Sequence, residues 1–263
     1  MITNIKLRLA ISIAIGSIFV CIEPAYAIDG KSTIDFINAD PGYNVLDPED
    51  HKKEVDPGDI ASTTGPLRID YVPSFTFGDT RITKNTMVSK ADAQLLHNGD
   101  GPRANFIQVS DYRNTGTGWS LLVRQEHQFR NDTQAKAILK GAVLSFDKAW
   151  SGSSFDQSLA PNVSKDTIVM NNIGDTYPLA TAEAGKGQGT WSISFGASET
   201  NPLGKETTLS PKMDQQNHAE LDGSFENQPK YRNDAIQLTI PASTTIQAGK
   251  YSTVLTWIIA ELP

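Results

Sequence analysis

Hydrophobic and polar residues alternate with a period of two along most of this chain, in short runs separated by Gly, Asn, Asp and Pro. Leu67, Ile69, Tyr71 and Pro73 alternate with Arg68, Asp70 and Val72, and Phe75 and Phe77 follow before Gly78. Further runs cover residues 106–110, 119–125, 142–146, 167–170, 191–196, 236–240 and 251–262, and a short one covers 33–37. Such runs are expected to be half-buried β-strands. Their number and spacing predict an all-β fold, an antiparallel sandwich or barrel, with an immunoglobulin-like or related sandwich as the expected form. One stretch, residues 90–97, has helical character but is too short to change the class.

Two of the runs carry more information. In residues 119–125, Trp119, Leu121 and Val123 share one face. In residues 251–262, Tyr251, Thr253, Leu255, Trp257 and Ile259 share one face, and Val254, Thr256, Ile258, Ala260 and Leu262 the other. A strand apolar on both faces is expected to be central or covered rather than a wet edge.

The N-terminus is patterned differently. Lys6 and Arg8 precede an apolar run that Glu23 and Pro24 close, followed by Ala25-Tyr26-Ala27. This is the pattern of a secretory signal at residues 1–27, cleaved before Ile28, and the apolar run is shorter than the ~20 residues of a membrane span. Residues 28–263 are then one domain with no membrane span. The single cysteine, Cys21, lies inside the signal and follows Val20, where a lipoprotein would carry a small residue. The mature chain therefore has no disulfide, thiolate metal site or cysteine nucleophile. No hydrophobic tail or sortase-type signal follows Pro263, so no covalent C-terminal anchor is expected.

Charge narrows the partners. The whole chain carries 23 basic and 30 acidic residues, a net of −7. Loss of Lys6, Arg8 and Glu23 leaves 21 against 29, a net of −8. An acidic protein without a basic stripe repels nucleic acid, and it repels anionic wall polymers too. Much of the acid lies in a loop at about residues 38–64, around Asp40-Pro41, Asp47-Pro48 and Asp56-Pro57. Repeated Asp-Pro favours extended, solvated backbone, and the spacing fits no EF-hand, so an acidic linker is favoured over a calcium loop.

Enzyme signatures fail in turn. His51, His97, His127 and His218 are scattered, with no metalloprotease pattern and no expected metal site. Ser145-Phe-Asp-Lys148 spells Ser-x-x-Lys on or beside a strand and lacks its partner motifs. A glycosidase pair hidden among the acids is the least favoured reading, because its spacing is set in three dimensions. No cofactor is implied.

The residues from Asp111 through Tyr112, Arg113, Asn114, Gly116 and Gly118 to Trp119-Ser120-Leu121 resemble the proximal motif of the WxL-domain family. Tyr251, Leu255, Thr256, Trp257, Ile259 and Pro263 resemble its distal motif, Tyr-x3-Leu-Thr-Trp-x-Leu-x3-Pro, with Ile259 in place of leucine. The residues from Gly65 to Pro73, with Phe77 and Gly78, resemble its opening strands, so the resemblance covers essentially the whole mature chain. It implies a secreted surface protein of Gram-positive bacteria that attaches non-covalently to the wall, with peptidoglycan the expected ligand. It also implies companion surface proteins as partners.

Two readings of the motif residues stand side by side. In one, Trp119 and Trp257 form or support a ligand site by stacking on sugar or peptide groups. In the other, favoured by their inward alternation, both are core residues. A mixed form has the tryptophans packing near each other beneath a surface of Tyr112, Arg113, Asn114 and Tyr251, with Leu121, Leu255 and Thr256 as the remaining motif positions. Wall binding is the leading function, docking to another surface protein the second, and wall hydrolysis the third.

Overall fold

The computed structural model describes residues 42, 44–98, 101–134, 136–214 and 216–262, all within the unit Asn38–Pro263. The signal at 1–27, the expected strand at 33–37 and Asp40-Pro41 lie outside the described residues. In chain order the first strands are β1 (Leu67–Tyr71), β2 (Met87–Asp92), β3 (Phe106–Asp111), β4 (Trp119–Gln125) and β5 (Arg130–Asn131). There follow β6 (Val143–Phe146), β7 (Ala149–Gly152), β8 (Asn162–Val163), β9 (Ile168–Met170), β10 (Thr176–Ala182) and β11 (Gly189–Phe195). The last are β12 (Leu209–Pro211), β13 (Leu221–Asp222), β14 (Gln228–Pro229), β15 (Tyr231–Ile240), β16 (Tyr251–Ser252) and β17 (Leu255–Glu261).

Three antiparallel sheets carry the fold, as the alternation predicts for an all-β sandwich. They run β1-β3-β11-β7, β17-β4-β10-β8 and β12-β15-β6-β9, with β2 also on β15. Alternate residues of each sheet point into one hydrophobic cluster that includes Ile107, Val109, Trp119, Leu121, Val123, Phe146, Trp191, Phe195 and Ile236. Burial of that shared face is the main stabilising term, because no single sheet can hide its apolar side alone.

The segment at 90–97 is not helical. Residues 87–92 form β2, whose inward residues Met87 and Ala91 stand four apart, a spacing that suits a helix or a strand equally. Pairing with β15 decides it, through a register shift between Asn233 and Gln237. Residues 75–78 form no strand. They are held by a loop contact in which Asp92 N donates to Thr76 O. Strand β10 has no clear signal in the sequence because Pro178 interrupts it. The proline is tolerated where the register with β4 shifts between Pro178 and Ala180.

Part of the acidic stretch, residues 44–58, packs on the fold rather than forming a solvated linker, whereas residues 59–64 are exposed. Residues 44–58 lie over the outer face of the β1-β3-β11-β7 sheet, where Asp47 and Glu49 are buried. Arg103 donates to both Asp47 oxygens, each at 2.8 Å, and lies 3.6 Å from Glu49. Glu49 accepts from Ser198 N at 2.7 Å, and Leu46 N donates to the Gln108 side chain at 2.7 Å. The physical reason lies in the sheet. Strands β3 and β11 are buried on both faces, so Gln108, Ser110 and Ser192 need hydrogen-bond partners that water would otherwise supply. The segment and Asp70 supply them. Asp70 accepts from Gln108 at 3.0 Å and from Ser110 at 2.5 Å, and pairs with the enclosed Arg68 at 2.6 Å.

Candidate functional site

The two motifs meet as neighbouring strands. In the β4–β17 ladder, Glu261 stands opposite Trp119, Ile259 opposite Leu121, Trp257 opposite Val123 and Leu255 opposite Gln125. Directly opposed residues of an antiparallel pair share a face. Leu255, Trp257 and Ile259 therefore join Trp119, Leu121 and Val123 on the core side. The register also separates the tryptophans. Trp257 faces a residue four positions from Trp119, about 13 Å along the strand at ~3.3 Å per residue. They do not pack against each other as the mixed reading supposed.

Trp119 is fully enclosed, and its indole N–H donates to Gly187 O at 3.0 Å. Gly187 makes room for the indole, and Gly118 lets the loop before it pass close to the end of β10. Gly187 has φ +72°, and a Cβ there would stand 2.6 Å from the indole nitrogen. Gly118 has φ +81°, and a Cβ there would stand 2.2 Å from Ala182 O. No face of the Trp119 ring is open at the surface. Trp257 is half-buried and meets Phe75 edge-on at 6.1 Å, and Phe75 in turn meets Phe146 at 5.7 Å.

The loop before Trp119 is tied down by its own charges. Arg113 grips Asp111 through two hydrogen bonds of 2.9 and 2.8 Å, donates to Gly118 O at 2.8 Å and pairs with Glu261 at 2.8 Å. The Asp111 hydrogen bonds, then the nearby Asp111 and Glu261 charges, hold the guanidinium above its already high pKa. One arginine thus joins the start of β4 to the end of β17. Tyr112 shares a hydrogen bond with Thr190 at 3.0 Å, and the Arg68 guanidinium lies 5.8 Å from its ring centre. Asn114 is exposed at φ +58°, a left-handed turn position that asparagine tolerates.

At the other end of the motif, Tyr251 pairs with Asn131 in the β5–β16 ladder, and its hydroxyl donates to Gln247 O at 3.0 Å. Thr256 donates to Glu126, whose carboxyl is held below its usual range by that bond first and by Arg124 second. Residues 253–254 break the run expected at 251–262 into β16 and β17. Among the described residues β17 pairs only with β4, so it is an edge strand and not a central one. Its place is decided by topology, since β10 occupies the other side of β4.

In these arrangements the motif side chains are engaged with the fold's own strands and loops. The nearest thing to a catalytic pair is His51 of the acidic segment and Ser192 of β11 at 3.2 Å, with Ser192 buried and donating to Gly152 O. Among the described residues no group of three His, Cys, Asp or Glu is placed to hold a metal ion. No helix there is long and apolar enough to cross a membrane. The buried carboxylates Asp47, Glu49 and Asp70 are the residues that sequence reasoning passed over. The signal that pointed to them was Arg68 and Asp70, two charges on one face of an otherwise apolar strand.

Comparison with known families now defines the class. The model of the WxL domain, described as surface cell wall-binding, matches residues 25–263. The chain belongs to this family and is a secreted, cell-surface protein of the wall-binding class. No curated protein and no solved structure gives a match.

Proposed function

We propose that the protein attaches to the cell wall by holding peptidoglycan non-covalently, without catalysing any reaction on it. The observation that carries this reading is the wall-binding family match across residues 25–263. Charge supports a neutral mode of recognition. A chain of net charge −7 is repelled by anionic wall polymers, so its hold rests on hydrogen bonds and stacking rather than on bulk attraction. The motif side chains suit a scaffold role, since Trp119, Arg113, Tyr112 and Tyr251 are engaged within the fold.

A second reading has its own observation. Because β17 pairs only with β4 among the described residues, its outer edge could take a strand from another surface protein. Retention of residues 28–263 on protein-free peptidoglycan and on intact cells separates the two. Retention on both supports direct wall binding. Retention on cells alone moves the function to a protein partner.

A further inference from the structure

A second surface, away from the motif strands, has the chemistry of a ligand site. Between the acidic segment, the ends of β1 and β2 and the β13–β14 hairpin lies an open groove of about 280 Å³. Its lining includes Tyr231 and Phe225, the carboxylates Asp59, Asp92 and Asp222, and Lys230. The volume lies just below the range of drug-sized sites, roughly 300 to 1,000 Å³, and suits a single small ring.

The aromatic wall is fixed before any ligand arrives. Phe225 stacks on His97 with ring centres 4.3 Å apart and planes 20° from parallel, and Glu226 holds that histidine at 2.8 Å. Gly58, at φ +87°, lets the acidic segment run close to the same ring, where a Cβ would stand 3.4 Å from Phe225 Cζ. Tyr231 is half-buried at the start of β15 and lines the groove. Preorganised rings contribute affinity because little side-chain entropy is lost on binding.

The charges select the ligand class. Lys212 pairs with Asp92 at 2.9 Å and is shared with Glu220 at 3.4 Å, and Lys230 pairs with Asp222 at 3.2 Å, so two of the three lining carboxylates already have a cation partner. A strongly cationic ligand would find little net charge to gain, and an anionic one would meet Asp59. What remains is a set of fixed hydrogen-bonding groups beside aromatic rings. That set matches a neutral sugar, whose hydroxyls donate to carboxylates while its C–H face lies on an aromatic ring.

We propose that this groove is a carbohydrate site that takes one neutral pyranose unit of a glycan chain, with Tyr231 as the stacking platform and Asp59 as the principal hydroxyl acceptor. The proposal deepens the wall-binding reading and rests on it, placing the glycan contact in this groove rather than on the tryptophan motifs.

The test is a titration of ¹⁵N-labelled residues 28–263 with a β-1,4-linked N-acetylglucosamine tetramer, followed by amide chemical shifts. Retention on protein-free peptidoglycan is measured in parallel. The expected result is saturable shifts clustered at residues 57–59, 92–95 and 222–231. Affinity should be about fivefold to tenfold weaker in Tyr231→Ala and weaker in Asp59→Asn, whose exposed position leaves the fold intact. Absence of saturable shifts, shifts confined to other surfaces, or wild-type affinity in Asp59→Asn and folded Tyr231→Ala would overturn the groove assignment. Retention on peptidoglycan without groove shifts would sink this site and leave the wall-binding reading standing. Groove binding without retention would do the reverse.

Discussion

Glu261 lies directly across the β4–β17 ladder from Trp119, and the two residues hold the motif strands together by different means. Trp119 is 0% exposed and anchors β4 in the core, whereas the Glu261 side chain is 53% exposed and reaches Arg113 at 2.8 Å. Their energetic weights should differ accordingly. Trp119→Ala should cost about 3 to 5 kcal/mol, the usual range for truncating a buried tryptophan. Glu261→Ala should cost about 1 kcal/mol or less, because water screens its ion pair. Urea unfolding of both variants checks this, and equal costs would contradict the packing described.

The glycine before Trp119 is a backbone requirement. At φ +81°, with Ala182 O only 2.2 Å from where a Cβ would sit, Gly118→Ala must displace either β10 or the loop. A left-handed non-glycine residue alone costs about 1 to 3 kcal/mol, and the clash adds to it. A thermal melt should fall by at least about 5 °C, at roughly 2 to 4 °C per kcal/mol for a domain of this size. An unchanged melting temperature would mean that the loop is free to move.

The buried anchor of the acidic segment should be as important as a core residue. Asp47→Asn removes the carboxylate that Arg103 grips at 2.8 Å and leaves Glu49 at 3.6 Å. Breaking a buried pair on one side typically costs about 3 to 5 kcal/mol, and here the loss should loosen the segment first. Trypsin should then cut after Lys52 or Lys53 at a higher rate than in the wild type, as mass spectrometry would show. Equal rates would mean that other contacts hold the segment.

That segment marks the limit of what the sequence discloses. The alternation of residues 119–125 is local, and β4 follows it residue by residue. The Asp-Pro segment reads as solvated because its acids have no partner nearby in the chain. Arg103 is 56 positions from Asp47, and Ser198 is 149 from Glu49. The edge position of β17 is hidden for the same reason, since pairing partners are chosen by topology. Of the motif site, the inward face of Trp119 and Leu121 was legible. The clasp of Arg113 on Glu261 was not, because it joins residues 148 positions apart in the chain, 261 against 113.

Acid should weaken the same region through His51. Burial lowers its pKa below 6.5, against the opposing pull of Asp47, Asp50 and the Pro48 carbonyl. The unfolded chain therefore takes up a proton that the folded chain resists. The stability His51 contributes is complete above pH 6.5 and is lost as pH falls from there towards its lower folded value. The urea midpoint should drop between pH 7.5 and pH 5.5, and drop less in His51→Gln. An equal drop in the variant would assign the effect to other groups.

Direct, non-covalent attachment of a net-negative chain to peptidoglycan does not draw on bulk charge attraction. The most direct measurement is a binding isotherm of residues 28–263 on protein-free peptidoglycan, at low salt and again at roughly 0.5 M sodium chloride, where exposed charges are screened beyond a few ångströms. Saturable binding that survives the salt is the predicted result. No saturable binding, or binding abolished by salt, would contradict the claim.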